Sequence, residues 1–147
     1  MEPPAAEYLL DTNILLHLVR RDALAGWIED RYGFIRRAAN PLVSVVAEGE
    51  IRSLAIQFGW GAARLARLEM ILAQAIIVPL EFEGVVNAYA RIDSHARRAG
   101  RPIGENDAWI AATAHGTRAH LLTTDHDFDT LAPQFLLRDW IDPALRP

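Results

Sequence analysis

Short apolar runs alternate along the chain with segments that have the periodicity of a helix. Tyr8–Leu10 is an apolar run that ends at the polar triplet Asp11-Thr12-Asn13, and Ile14–Val19 continues with helical spacing. This order predicts a strand that leads into a helix. Further strands are predicted at Leu42–Val46, Ile76–Leu80, His120–Thr123 and Phe135–Leu137.

Helical segments fill the stretches between these strands. Their apolar spacing predicts helices over Ala23–Ala38, from Ala47 to Phe58, and over Ala62–Gln74, Glu83–Ala99 and Glu105–Gly116. Asn40-Pro41, Gly59-Trp60-Gly61 and Gly100 interrupt the pattern, as expected of residues that end helices. Strands that alternate with helices predict a parallel α/β sheet with helices on both faces. The binding crevice of such a sheet lies beyond the carboxyl ends of its strands.

The composition narrows the chemistry that is open to the chain. Its 147 residues are 51% hydrophobic and 23% charged, which excludes general disorder and predicts one domain over residues 1–147. All 15 basic residues are arginine, and cysteine is absent. Without lysine or cysteine, P-loop phosphate binding, Schiff bases, thiolate nucleophiles and disulfides are excluded. Coding bias in a GC-rich genome and selection for phosphate contact both explain the arginine usage.

No sequence signal for a membrane or for export is found. No stretch approaches the roughly 20 apolar residues of a membrane span. The first seven residues, Met-Glu-Pro-Pro-Ala-Ala-Glu, lack the basic and apolar regions of a signal peptide. The sequence therefore predicts a cytoplasmic protein, and its net charge of −4 argues against a simple basic surface for nucleic acid.

Four acidic residues occupy positions that this topology brings to one edge of the sheet. Asp11 follows the first strand, and Asp125 follows the fourth. Glu50 lies in the helix after the second strand, and Asp107 lies in the first turn of a later helix. Carboxylates that converge repel one another and lose solvation, so a cation is the natural compensation. Their oxygens are hard ligands that suit Mg²⁺ or Mn²⁺ rather than zinc.

Each of these acids also has an ordinary explanation. Asp11 suits a helix cap and Asp107 a helix N-terminus, whereas Asp125 belongs to an acidic turn and Glu50 suits an exposed helix face. Glu48 competes with Glu50 for the site, since both flank the apolar side of the same helix. Arg52 lies four residues after Glu48 and offers it a surface ion pair, which favours Glu50 as the ligand.

Four blocks of sequence carry a family resemblance. They are Leu9–Leu15, the segment from Ser44 to Arg52, Ile103–Ala112 and Leu122–Phe128. In this order they resemble the PIN-domain ribonucleases, and specifically the VapC-type toxins of bacterial and archaeal toxin–antitoxin pairs. The resemblance implies a metal site formed by Asp11, Glu50, Asp107 and Asp125, and supporting polar roles for Asn13, Thr123 and Asp127. It also selects Glu50 over Glu48.

The resemblance further implies a fold, a reaction and partners. The implied fold is a three-layer α/β/α sandwich around a mostly parallel five-stranded sheet of order 3-2-1-4-5. The implied reaction is Mg²⁺- or Mn²⁺-dependent cleavage of RNA, such as tRNA or another single-stranded or structured RNA. The implied partners are a small antitoxin, which packs on a hydrophobic groove and blocks the site, and a second copy of the chain. Apolar residues around Leu15–Leu18 and Leu24–Ile28 suit a dimer, although core packing explains them equally well.

Other residues leave alternatives open. Arg97, Arg98 and Arg101 precede the Asp107 helix and are candidates for RNA contact, although they also suit a solvated helix end. Aromatic side chains can stack on bases, but Trp109 lies in a helix, where core packing is the more frequent role. A non-catalytic PIN-like adaptor that binds RNA or protein is the main alternative function. Phosphotransfer through an aspartyl-phosphate is disfavoured by the missing lysine.

Overall fold

A five-stranded parallel sheet forms the centre of the computed structural model, which describes residues 7–34 and 40–145. The strands stand in the order β3-β2-β1-β4-β5, and every neighbouring pair is parallel. This confirms the predicted fold class and strand order. The strands are β1 (Tyr8–Leu10), β2 (Leu42–Ser44), β3 (Ile76–Val78), β4 (His120–Thr123) and β5 (Arg138–Trp140).

Helices flank the sheet and give the three-layer α/β/α arrangement. They connect parallel strands, as a crossover between such strands requires. One 3₁₀ helix, η1, follows β4 and leads toward the edge of the sheet. The helices are α1 (Thr12–Arg20), α2 (Ala23–Tyr32), α3 (Val45–Gln57), α4 (Ala62–Gln74), α5 (Val85–Arg98), α6 (Glu105–Thr117) and η1 (His126–Leu131).

The core lies around the two central strands, β1 and β4. Leu9 and Leu10 of β1 and Leu121 and Leu122 of β4 are fully buried. Parallel strands that are covered on both faces have such continuous apolar runs rather than an alternating pattern. The two strands end side by side, since the backbone N–H of Asp11 donates to the carbonyl of Leu122 at 3.0 Å. The residues that follow these strands are therefore brought close together.

Two predicted strands are corrected by the structure. The second strand ends at Ser44 rather than Val46, because the Ser44 hydroxyl accepts the N–H of Val46 at 3.1 Å and caps α3. The fifth strand lies at Arg138–Trp140 and not at Phe135–Leu137. As an edge strand, β5 has only half-buried side chains and therefore no apolar pattern, whereas Phe135 and Leu136 before it pack into the core.

Other bounds also differ from the prediction. The third strand ends at Val78, before Pro79. Helix α2 ends at Tyr32 because Gly33 takes a left-handed conformation with φ 67°. The rest of its predicted range, to Ala38, falls largely on residues 35–39, outside the described residues. Helix α5 begins at Val85 rather than Glu83, after a left-handed Gly84.

Within residues 7–34 and 40–145, the helices are all too short or too polar to cross a bilayer. The expectation that the chain has no signal peptide concerns the first seven residues. Six of these lie outside the described part of the chain. The expectation about the signal peptide therefore stays a prediction.

Candidate metal centre

Asp11 lies directly beyond β1 and begins α1. Its Oδ1 accepts the N–H of Thr12 at 2.8 Å, and its Oδ2 accepts the Thr123 hydroxyl at 2.7 Å. Only 4% of the residue is exposed. Burial raises the pKa of Asp11 to about 6, and the charges of Glu50 and Asp125 add to the effect, against the lowering by the two hydrogen bonds. Asp11 is thus a helix cap and part of an acidic cluster at once.

Asp107 is placed by the first turn of α6. Ile110, Ala111 and Ala114, which share its side of the helix, are buried, and Asp107 is half-buried beside them. Burial, followed by the charge of Asp11, raises the pKa of Asp107 to about 7. Smaller contributions come from the other acids of the cluster, Asp125, Asp127 and Glu50. The charges of the three other predicted ligands, Asp11, Asp125 and Glu50, therefore all raise the pKa of Asp107.

Asp125 and Asp127 follow β4 in a tight turn. Asp125 caps η1 by accepting the N–H of Asp127 at 2.9 Å, and its own N–H donates to the Thr123 hydroxyl oxygen at 2.9 Å. One carboxylate oxygen each from Asp107, Asp125 and Asp127 lie within 4.8 Å of one another. The charge of Asp125, followed by burial, raises the pKa of Asp127. Asp127 was predicted as a supporting residue, and the structure places its carboxylate in the same cluster as those of Asp107 and Asp125.

Glu50 reaches the cluster from α3. Its Oε1 accepts the Thr12 hydroxyl at 2.7 Å, and its Oε2 accepts the side-chain amide of Asn106 at 3.2 Å. Because Thr12 and Asn106 each adjoin an acid of the cluster, these bonds hold Glu50 between α1 and α6. Sequence reasoning missed both residues, although each lies inside a family-like block next to a predicted ligand.

Glu48, the alternative candidate ligand on α3, forms a different contact. Its carboxylate lies 3.0 Å from the Arg52 guanidinium, one helical turn away, and Arg52 also pairs with Glu69 of α4. The surface ion pair expected from the sequence is therefore present. These contacts leave Glu50 as the acid of α3 that faces the cluster.

The remaining predicted polar residues lie nearby. Asn13 is half-buried in the first turn of α1, and its side chain forms no hydrogen bond within the described ranges. Arg97 and Arg98 end α5 and Arg101 follows in the turn to α6, all exposed, with Arg97 paired to Asp93 at 3.0 Å. Their contact with RNA stays a prediction.

Trp109 packs against the protein core. Its ring stacks on Tyr89 of α5 with centroids 3.9 Å apart and planes at 16°, and both rings are partly buried. This agrees with the expectation that a helical aromatic residue is more often a core residue than a base-stacking one. The contact joins α6 to α5 at a position two residues after Asp107.

The donor set of the cluster fits a hard divalent cation. Oxygen ligands of one Mg²⁺ stand about 2.0–2.1 Å from the ion, and hence at most about 4.2 Å from each other. Three carboxylate oxygens within 4.8 Å are close to that spacing. Burial and the neighbouring carboxylates raise the pKa values of Asp11 and Asp107, so the charged forms of these groups are destabilised in the metal-free protein. A cation would offset that destabilisation.

Comparison with known sequences agrees with the resemblance inferred above. A family model of the PIN domain matches residues 8–133. Ribonuclease VapC4 of Mycobacterium tuberculosis (strain ATCC 25618 / H37Rv) is 37% identical over 87 residues, which cover 58% of this chain and 67% of that protein. Ribonuclease VapC5 of the same strain is 36% identical over 70 residues, or 48% of this chain and 50% of that protein.

Solved structures give the same result for the fold. VapBC2 from Rickettsia felis, bound to a DNA fragment from their promoter, superimposes with a TM-score of 0.77 at 18% identity, over 92% of this chain and 98% of that one. FitAcB from Neisseria gonorrhoeae gives 0.73 at 25% identity, over 94% and 99%. VapBC-1 from nontypeable Haemophilus influenzae gives 0.72 at 25% identity, over 90% and 96%.

Proposed function

Because the chain belongs to the PIN-domain family, we propose that it is a Mg²⁺-dependent endoribonuclease and the toxin of a type II toxin–antitoxin pair. The observation that carries the proposal is the convergence of three carboxylate oxygens, from Asp107, Asp125 and Asp127, within 4.8 Å. Asp11 and Glu50 adjoin this cluster. The two curated relatives bear the name ribonuclease, which supports RNA as the substrate.

The protein's own residues would bind and orient the ion. Asp107, Asp125, Asp127, Asp11 and Glu50 supply the carboxylates, and Thr12 and Thr123 hold two of them in place through their hydroxyls. When bound, Mg²⁺ lowers the pKa of a coordinated water and neutralises charge on the phosphate. Because the pKa of Asp107 is about 7 in the protein alone, metal binding near neutral pH displaces a proton from this group.

Binding of the RNA itself is assigned to groups around the cluster. Arg97, Arg98 and Arg101 lie at the end of α5 and in the turn that leads to the Asp107 helix, and guanidinium groups match phosphate geometry. A tRNA or another RNA with single-stranded segments is the proposed substrate. The proposed place of this reaction is the cytoplasm, where such RNA is found.

An antitoxin is the proposed regulatory partner. The similar structure VapBC-5 from Mycobacterium tuberculosis is titled a member of the VapBC family of toxin–antitoxin systems, and another is titled a toxin–antitoxin complex from Klebsiella pneumoniae. Among the described residues, helices α1, α2 and α4 border an apolar cavity of about 280 Å³, lined by Leu18, Ala25 and Ile71 among others. An apolar antitoxin segment is the proposed occupant. A homodimer is also proposed, although Leu15, Leu24 and Ile28 are core residues.

A cleavage assay tests the proposed enzyme. The protein is incubated with tRNA and with a single-stranded RNA, with Mg²⁺ or with a chelator, and Asp107→Asn and Glu48→Gln are compared with the parent. We expect Mg²⁺-dependent cleavage that Asp107→Asn slows by roughly 100-fold or more, since losses at groups that merely support a ligand already reach 10–100-fold. Glu48→Gln removes a similar charge from the surface and is expected to cleave normally.

The alternative function gives a different result in the same assay. A non-catalytic adaptor would bind RNA or protein at fixed stoichiometry, without metal-dependent turnover. Equal cleavage by Asp107→Asn and the parent would contradict the proposed role of Asp107. The presence of acids at all four predicted positions argues against the adaptor, since a binding module gains nothing from mutually repelling carboxylates.

A further inference from the structure

Four side chains form an ordered group on the β5 side of the acidic cluster. Residues three apart lie above one another in a 3₁₀ helix, so His126 and Asp129 share one side of η1. Residues two apart share one face of a strand, so Arg138 and Trp140 share one face of β5. The side of η1 meets this face of β5, and the four side chains contact each other in pairs.

The contacts fix the orientation of an exposed ring. His126 stacks on Trp140 with ring centroids 4.2 Å apart and planes at 18°. The His126 Nδ1 lies 2.9 Å from the Asp129 carboxylate, which also pairs with Arg138 at 2.9 Å. The Trp140 indole N–H donates to the carbonyl of Thr124 at 3.0 Å. We call His126 and Trp140 together the stacking platform.

The stacking platform lies beside the candidate metal centre. In the sheet, Trp140 is level with Thr123, the last residue of β4 and the partner of the Asp11 carboxylate. His126 lies between Asp125 and Asp127 in the chain, and both of these acids belong to the cluster. His126 therefore belongs to the same short turn as two carboxylates of the cluster.

The ring of His126 has one covered and one open face. Its side chain is 64% exposed even though Trp140 and Asp129 hold it on two sides. An exposed side chain normally samples several rotamers, and ordering it costs entropy. A flat ring that is fixed in advance, with one free face, matches the way in which proteins stack the unpaired bases of single-stranded nucleic acid.

We propose that an unpaired nucleobase of the RNA substrate stacks on the open face of His126, which extends the His126–Trp140 stack and positions the adjoining phosphate at the acidic cluster. The inference rests on the proposed ribonuclease function and deepens it. His126 acts here as a positioning residue through its ring plane. The imidazole transfers no proton in this role.

Binding measurements test the stacking platform directly. Fluorescence anisotropy gives the Kd of a labelled single-stranded RNA of about ten nucleotides and of an abasic ribose-phosphate strand of the same length. All proteins carry Asp107→Asn to suppress cleavage, and the compared variants are His126→Ala, His126→Phe and Phe58→Ala. Phe58 is a matched control because it is a half-exposed ring at the far end of α3.

The expected pattern separates stacking from other roles. We expect His126→Ala to weaken RNA binding roughly 5- to 10-fold, within the range for loss of one base–aromatic contact. His126→Phe keeps a flat ring and should bind within about twofold of the parent, as should Phe58→Ala. On the abasic strand, His126→Ala should have no effect. In Asp107-intact protein, His126→Ala should raise the KM for RNA cleavage by the same factor.

Other outcomes overturn the inference in distinguishable ways. If His126→Phe is as weak as His126→Ala, or if the loss persists on the abasic strand, the contact is with phosphate and the base-stacking role is wrong. If His126→Ala binds RNA as the parent does while the intact protein cleaves RNA, only the stacking platform is wrong. A protein that neither binds nor cleaves RNA overturns the proposed function and the platform together.

Discussion

The Thr123 hydroxyl links the acids of the two central strands. It donates to Asp11 at 2.7 Å and accepts the backbone N–H of Asp125 at 2.9 Å, and the residue is fully buried. The single hydroxyl oxygen of Thr123 therefore holds both the Asp11 carboxylate, which follows β1, and the Asp125 backbone, which follows β4. A buried hydroxyl with both of its roles filled stabilises the fold, since the Asp11 oxygen that it meets is shielded from water.

Replacement of Thr123 by valine keeps the shape and removes both hydrogen bonds. We expect Thr123→Val to lower the free energy of unfolding by about 1–3 kcal/mol, because the Asp11 oxygen and the Asp125 N–H lose their partner. Urea denaturation of the metal-free protein measures this change. Thr123→Ser restores the hydroxyl and should recover most of the loss, whereas a Thr123→Val variant as stable as the parent would show that the two hydrogen bonds add nothing to stability.

Protonation of Asp11 and Asp107 couples pH to stability. In the folded protein the pKa values of these groups are about 6 and about 7, above the ordinary value of 3.8. The folded state therefore holds protons that the unfolded state releases, so stability falls as pH rises from about 4 through about 7. We expect the metal-free protein to have a Tm several degrees lower at about pH 8 than at about pH 5.

Asp107→Asn isolates the contribution of one group to this pH dependence. The variant cannot ionise at this position, so it should unfold at a higher temperature than the parent at about pH 8 and at a similar temperature at about pH 5. Differential scanning calorimetry in the presence of a chelator measures both values. An equal fall in Tm from about pH 5 to about pH 8 in the parent and in Asp107→Asn would contradict the assignment.

At the level of helices, two glycines differ in what surrounds them. A Cβ on Gly49 of α3 would meet no atom within 4 Å. A Cβ on Gly116 of α6 would lie 3.0 Å from the Val85 side chain and 3.4 Å from the carbonyl of Glu83. Val85 is fully buried at the start of α5, so it has little room to move. Gly116 is thus required by the close approach of α6 to the start of α5.

The two glycines predict opposite effects of alanine. Gly49→Ala should stabilise the protein by roughly 0.5–1 kcal/mol, the gain expected for alanine inside a helix. Gly116→Ala makes the same helical change but forces a contact with Val85 and backbone, so it should be neutral or destabilising. Paired urea titrations compare the two variants. Equal stabilisation by both would show that the start of α5 moves to make room for the new methyl group with no loss of folding stability.

The sequence predicted elements well where apolar residues carry the signal. The strand at Tyr8–Leu10, the helix at Ala62–Gln74 and the strand at His120–Thr123 were predicted with the observed bounds. Strand β5 was misplaced because an edge strand of Arg138, Asp139 and Trp140 has no buried face to impose a pattern. The end of β2 was misplaced because the valines after Ser44 have strand propensity, and the Ser44 cap overrides it.

The candidate site was predictable as far as position in the topology decides it. Asp11 and Asp125 directly follow adjacent parallel strands, so their proximity follows from the strand order. Contacts between distant segments were not predictable, because no local pattern encodes them. The bonds from Thr12 and Asn106 to Glu50 span 38 and 56 residues. The stack of His126 on Trp140 depends on where β5 lies, which the sequence did not indicate.

For the molecule as a whole, the four acids predicted as ligands equal its formal net charge in number. Four of the 19 acidic residues are Asp11, Glu50, Asp107 and Asp125, and the other 15 equal the 15 arginines in number. The formal excess of four negative charges therefore equals these four acids in number, and the four lie together at one edge of the sheet. A bound divalent cation would offset this repulsion, so metal binding and folding stability are expected to be coupled.

We expect Mg²⁺ to raise the Tm of the protein. At about 100 times its Kd, a ligand of the folded state adds about 2.7 kcal/mol. For a chain of this size, about 2–4 °C per kcal/mol gives an increase of roughly 5–10 °C. The increase should be smaller at about pH 5 than at about pH 8, because protons compete with the metal for the carboxylates. Calorimetry at several Mg²⁺ concentrations measures the shift.

Three controls attribute that shift to the cluster. Sodium chloride at matched ionic strength screens surface charge without occupying the site, so it should reproduce little of the increase. Asp107→Asn should lose most of the Mg²⁺ effect, since it removes one of the three clustered carboxylates. Glu48→Gln should retain it, because Glu48 is paired with Arg52 on the surface. An equal Mg²⁺ shift in the parent and Asp107→Asn would place the bound ion elsewhere on the protein.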